Sequence, residues 1–139
     1  MSAYKLIEVS KTAEKESQSI YDKETLDEAV VAMHNDFGVA VKQDTTIGAY
    51  AVVINNTTGE KVDKLQYGDM IKDRVYTHNN YADDNISAYD SAQLAIGNYH
   101  TKLAAQRSNP QCELAITVRL DGLGNFADSD KWEKPVVEE

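Results

Sequence analysis

Two stretches of this chain, 66 residues apart, carry the same apolar register, and that repeat limits the fold more than any other feature. Leu26, Val30, Met33 and Phe37 fall on Ala92, Ile96, Tyr99 and Leu103. His34 falls on His100, and Val52 and Ile54 fall on Val118 and Leu120. Just upstream, Ser19-Ile20-Tyr21-Asp22 matches Ser87-Ala88-Tyr89-Asp90. One residue is lost in a later turn, after which Gly59 meets Gly124, Asp63 meets Asp128 and Tyr67 meets Trp132. Identity over the repeat is about one residue in five, so element order and register carry the reading.

Each copy reads as two strands, a helix and two strands. In the first, Tyr4 to Lys11 and Ser17 to Tyr21 flank the polar turn Thr12 to Glu16. Asp22 and Glu24 place acidic groups where a helix begins, and Leu26, Val30, Met33, Phe37 and Val41 form one apolar stripe. The run Ile47 to Ile54 predicts a strand, Asn55 to Gly59 a turn, and Lys61 to Tyr67 a closing strand. The second copy predicts strands at Asp73 to His78 and Ile86 to Tyr89. It then predicts a helix capped by Asp90 or Ser91, with Ala92, Ile96, Tyr99 and Leu103 inward. Pro110 forbids continuation of that helix. Leu114 to Leu120 and Phe126 to Trp132 are its last strands, around the turn Asp121-Gly122-Leu123-Gly124.

The predicted fold class is therefore α+β: a tandem duplication of a ββαββ module, with antiparallel sheets that each pack one helix on a face. The first repeat covers residues 1–69 and the second 70–133, the two packed as one unit, with an acidic tail at 134–139. A unit of about 65 residues has a marginal core. In the first copy Tyr50, Val52 and Ile54 alternate with Ala49, Ala51 and Val53, so both faces of that strand are apolar and both should be buried. One helix covers one face. The other is expected to be closed by the second copy or by another subunit, which makes a homodimer the expected assembly. In the second copy Leu114, Ile116, Val118 and Leu120 are expected inward and Thr117, Arg119 and Asp121 outward, as in a half-exposed sheet.

Composition narrows the function classes. The chain has 139 residues and a formal charge of −9, which would repel a phosphate backbone and argues against direct nucleic-acid binding. No segment approaches the roughly 18 apolar residues of a membrane span, and the first residues lack a secretion signal, so a soluble, cytoplasmic protein is expected. The single cysteine, Cys112, excludes an intrachain disulfide and a multi-cysteine zinc site, and is expected to be a small core residue. The sequons at Asn55, Asn56 and Asn85 read as polar turns.

The sequence contains no Gly-x-Ser-x-Gly, phosphate-binding glycine loop or His-Glu-x-x-His, so no catalytic residues are assigned and no cofactor or metal is expected. The segment from Asp121 to Trp132 resembles a calcium loop only superficially, because Leu123 and Trp132 stand where ligands are required. The paired His34 and His100 lack accompanying carboxylate or cysteine ligands and are expected to cap core edges. The remaining candidate partner or ligand contacts are Tyr67, Tyr76, Tyr81 and Trp132, near strand ends or loops, and the scarce cations Arg74, Arg107 and Arg119.

The run Tyr4 to Lys11, the pair Tyr21-Asp22, the segment Ala32-Met33-His34-Asn35-Asp36-Phe37 and the strand Val52 to Asn55 leading to Gly59 resemble short uncharacterised proteins of phages and prophages of Gram-positive bacteria. The resemblance covers roughly the first 67 residues. It implies a mobile-element context, and it transfers no catalytic residue. The expected function is thus a non-enzymatic acidic phage accessory protein, cytoplasmic in the bacterial host. It would bind a host protein and act as an anti-CRISPR-like inhibitor of immunity. The alternatives are a protein that sequesters a signalling nucleotide, and a virion or assembly component.

Overall fold

A computed structural model of the chain describes residues 3–135. The distal part of the predicted acidic tail, 136–139, lies outside the described residues. The elements run β1 (Tyr4–Lys11), β2 (Glu16–Lys23), α1 (Leu26–Lys42), β3 (Gly48–Asn55), β4 (Lys61–Gly68), β5 (Asp73–Asn79), β6 (Asn85–Tyr89), α2 (Ala92–Ser108), β7 (Leu114–Leu120) and β8 (Phe126–Glu133). They form two antiparallel four-stranded sheets, ordered β2-β1-β3-β4 and β6-β5-β7-β8, so the α+β class and the duplicated ββαββ order are what the chain adopts. The outer strands reach a residue or two beyond the predicted limits, as when β2 extends to Glu16 and Lys23.

Local detail repeats with the architecture. Thr25 Oγ1 accepts from Glu28 N–H at 3.2 Å and Ser91 Oγ accepts from Leu94 N–H at 3.2 Å, so both helices begin on a hydroxyl cap at the same offset. In the first copy the cap is Thr25, with Asp27 and Glu28 in the first turn, and Asp22 belongs instead to β2. Both helices end on an extended residue, Gln43 or Asn109, whose N–H returns to Ala40 or Gln106 at 3.2 Å. The ladder shifts register between Val53 and Ile54, and again between Arg119 and Leu120. Asn55 Oδ1 accepts from the N–H groups of Thr57 and Thr58, and Asp121 Oδ1 from those of Leu123 and Asn125. The Asp121 segment is accordingly a turn that consumes its own carboxylate.

The buried stripes differ from those predicted by less than one helical turn. Ala29 and Met33 are buried in α1, and Ala95, Tyr99 and Gln106 in α2. Leu26, Ala92 and Ile96, expected inward, are exposed. Alanines 29 and 95 are equivalent positions, and a small residue there lets the helix axis approach the sheet closely. Met33 packs with Leu6, Ala51 and Val53, while Tyr99 packs with Val75. The two residues therefore occupy matching places in matching cores.

The far face of the first sheet is buried as well: Ile7, Val52 and Ile54 are 0% exposed and Tyr50 is 1% exposed within the single chain. The two-sided burial predicted for β3 is thus observed. The second sheet corrects the predicted half-exposed alternation. Helix α2 packs on β5 and β7 over Thr117, which is fully buried, and Arg119, whose side chain is only 13% exposed. The opposite face, with Tyr76, Ile116, Val118 and Leu120, is also fully buried.

The chain divides into two compact units, Met1–Ile71 with Asp121–Asn125, and Lys72–Leu120 with Phe126–Glu139. Within the first, Ile71 N–H donates to Gly122 O at 2.8 Å and Lys64 Nζ donates to Asn125 Oδ1 at 2.7 Å. Gly124 lies in this unit at φ 80°, and a Cβ there would stand 2.8 Å from Tyr50 Cγ. Gly124→Ala should therefore destabilise the fold by about 2 kcal/mol, combining left-handed strain with overpacking. Thermal unfolding checks this, and an unchanged melting temperature would show that the turn does not press on Tyr50.

Candidate functional site

The most unusual chemistry lies between α1 and the first sheet. Alternation along β1 turns Leu6, Glu8 and Ser10 toward the helix, and antiparallel pairing places Ser19 and Ala51 beside Glu8. Asp36 and Ala40 approach from the last turns of α1. Glu8, Ser10, Ser17, Ser19, Asp36, Ala40 and Ala51 line a cavity of about 100 Å³.

Inside it, Glu8 Oε2 is buried without a hydrogen-bond partner, and the exposed Asp36 lines the same cavity. Two carboxyls brought together in this way favour keeping a proton on one of them. Burial first, then the bond to Asp36 and its charge, push Glu8 up to about 8, against a smaller pull from Lys23. The pair therefore holds and releases one proton near neutrality. The sequence reading missed it, because residues 8 and 36 are ordinary surface types in a 27% charged chain. The one available signal was an ionisable residue in phase with Leu6, on the helix-facing side of an apolar strand.

The second copy fills the same place with neutral amides. Thr77 pairs with Thr117 and Asn85 as Glu8 pairs with Ala51 and Ser19. The ladder thus equates Ser19 with Asn85 and Tyr21 with Ser87, two residues away from the match of Ser19–Asp22 with Ser87–Asp90 read in the sequence. Asn79 Nδ2 donates to Gln106 Oε1 at 3.0 Å, and Gln106 Nε2 donates to Thr117 Oγ1 at 2.7 Å. Gln106 stands where the first copy has Ala40, and its amide occupies the volume that is cavity there. One scaffold thus carries a proton-binding pair in one copy and a closed amide network in the other.

Two further polar clusters belong to the second unit. Arg119 donates to Asp128 at 2.7 Å and to Asp73 at 3.0 Å, with Asp73 only 15% exposed. Nearby, Arg107 donates to both oxygens of Asp130, at 2.9 and 2.8 Å. Burial, with the charges of Asp130 and Asp128, raises the Tyr99 phenol to about 12, so it remains protonated. Elsewhere His78 Nδ1 lies 2.7 Å from Asp84 Oδ1, and Tyr76 Oη donates to Asp84 Oδ2 at 3.0 Å. Of this Tyr–Asp–His cluster only Tyr76 is among the candidates the sequence offers; Asp84 stands in the polar run Asn79 to Asn85, which carries no periodic signal.

Most predicted contact residues are dispersed or engaged. His34 and His100 are exposed at equivalent positions, the latter edge-on to Tyr99. Among the described residues, no group of three or more His, Cys, Asp or Glu could hold a metal. Tyr67 is exposed, Tyr81 and Trp132 are half-buried, and Tyr76 is fully buried. Arg74 is 2% exposed and donates to Lys72 O at 3.0 Å, so with Arg107 and Arg119 tied to aspartates the three arginines do not converge. Cys112 is buried, and burial raises its thiol, as suits a core residue. No described helix is long and apolar enough to cross a membrane.

These features define a tandem ββαββ protein of the α+β class with an asymmetric pair of helix–sheet interiors. No family model matches the chain, and neither a curated protein nor a solved structure shows significant similarity to it.

Proposed function

We propose that this chain is a non-enzymatic binding protein whose acidic surface engages a basic face of a host protein. The observation that carries the reading lies at the junction of β2 and α1. There Tyr21 and Leu26 are 41% and 40% exposed, among the exposed carboxylates Glu24, Asp27 and Glu28. Tyr21 carries Lys23 Nζ 5.7 Å over its ring. Beyond it the aliphatic Leu26 stands among the carboxylates, a mixed surface of net negative charge that suits a basic, partly apolar protein face. The formal charge of −9 would steer such a partner toward it. The engaged arginines weigh against the nucleotide-sequestering alternative, since a phosphate needs converging cations. The likeness to phage and prophage proteins makes a component of bacterial immunity, a CRISPR nuclease among them, the partner class to test first.

The test is direct binding to purified nucleases of that class, at about 0.1 M salt and again at higher salt. The charge-reversed variant Glu24→Lys/Asp27→Lys/Glu28→Lys and the variant Tyr21→Ser are measured beside the parent. Binding that weakens with salt and is lost on charge reversal supports the proposal. Equal binding by parent and reversed variant, or no binding to any of them, would overturn it.

A further inference from the structure

We propose that the Glu8–Asp36 pair is a proton-operated latch, which fastens the C-terminal half of α1 to the first sheet while it holds its proton and loosens it when the proton leaves. On β1 the pair's neighbour in the cavity is Ser10, and on β2 the cavity is lined by Ser17 and Ser19. β3 contributes Ala49, Tyr50 and Ala51, and α1 contributes Asp36, Phe37 and Ala40. Lys23 is the cation that opposes the rise of Glu8, and it acts less than burial or Asp36 does. Serine hydroxyls can stabilise one negative charge. Two carboxylates on one cavity, the exposed Asp36 on the helix and the half-buried Glu8 with its donor-lacking oxygen on the strand, would repel across the helix–sheet seam. The strain falls on α1, because Asp36 is carried by the helix and Glu8 by a central strand.

The second copy is an internal control. At the same seam, Asn79, Gln106 and Thr117 are joined by hydrogen bonds between uncharged groups. Lys102, which stands where the first copy has Asp36, donates to Asn85 Oδ1 at 3.4 Å, so no two carboxyls meet there. Helix α2 should therefore be indifferent to the pH change that loosens α1. The two helix–sheet seams of the duplicated scaffold should differ in their response to pH.

The direction of the effect follows from proton linkage. An unfolded Glu8 titrates at its ordinary 4.5, whereas in the fold it titrates near 8. Between these values the folded chain holds a proton that the unfolded chain has released. The contribution of this group to stability therefore falls as pH rises from 4.5 to about 8, and then levels off.

Three readouts on the intact chain test the latch. Carbon-13 NMR of the side-chain carboxyls should show Glu8 titrating close to 8, far above the other glutamates. The melting temperature of Glu8→Gln should gain on that of the parent by several degrees between about pH 5 and about pH 9. Amide-exchange protection over the last turns of α1 should fall across this range, while protection over the last turns of α2 stays constant. A Glu8 that titrates near 4.5 overturns the proposal, as do parallel melting profiles or equal loosening of both helices. The NMR titration reads the parent protein, so the latch stays testable even if the variant folds poorly.

Discussion

A Met33→Ala variant is expected to lose about 3–4 kcal/mol of unfolding free energy, measured by urea denaturation followed by circular dichroism. Met33 is fully buried, packs with Leu6, Ala51 and Val53, and has Ala29 beside it on the helix. Alanine at 33 would leave a cavity at the centre of the helix–sheet contact, with little nearby that is long enough to collapse into it. Met33→Leu, which conserves volume, should cost under about 1.5 kcal/mol. If alanine cost no more than leucine, α1 would not be seated on this sheet through residue 33.

The second large effect is expected at Arg119, which aligns with Val53 of the first copy. Arg119→Leu should destabilise by about 3 kcal/mol, because it leaves Asp73 and Asp128 without their cation under α2. The figure sits at the low end for a buried pair, since Asp128 is 41% exposed and can recover some hydration. The double variant Asp73→Tyr/Arg119→Val installs the residues found at these places in the first copy, Tyr4 and Val53. It should recover part of the loss, as replacing an ion cluster by apolar groups often does. Equal destabilisation by the single and double variants would show that the two seams are not interchangeable.

These two positions also show what was legible in the sequence. Strand order, both helices and the 66-residue register could be read because β-branched runs, turns and caps are local signals that neighbours reinforce. Leu114 to Leu120 was placed to the residue. The inward face of α2 was not, because pattern reading assumes that apolar residues point in. Here the seam beneath α2 is polar, and Gln106, Thr117 and Arg119 are drawn inward by partners distant in sequence, while Leu94 and Ile96 remain exposed. The Glu8–Asp36 pair escaped for the same reason. It joins residues 28 positions apart, through a helix–sheet contact that periodicity does not specify.

The central claim is that one ββαββ plan is built twice, with equivalent residues 66 apart in the helices and third strands and 69 apart in the first strands. Methyl and aromatic NOE spectroscopy of the whole chain in solution tests it most directly. The Met33 methyl should contact Leu6, Ala51 and Val53, the Tyr99 ring should contact Val75 and Ala95, and ladder breaks should appear at both Val53–Ile54 and Arg119–Leu120. A spectrum placing Tyr99 against strands that do not correspond to those beneath Met33, or showing only one of the two breaks, would contradict it.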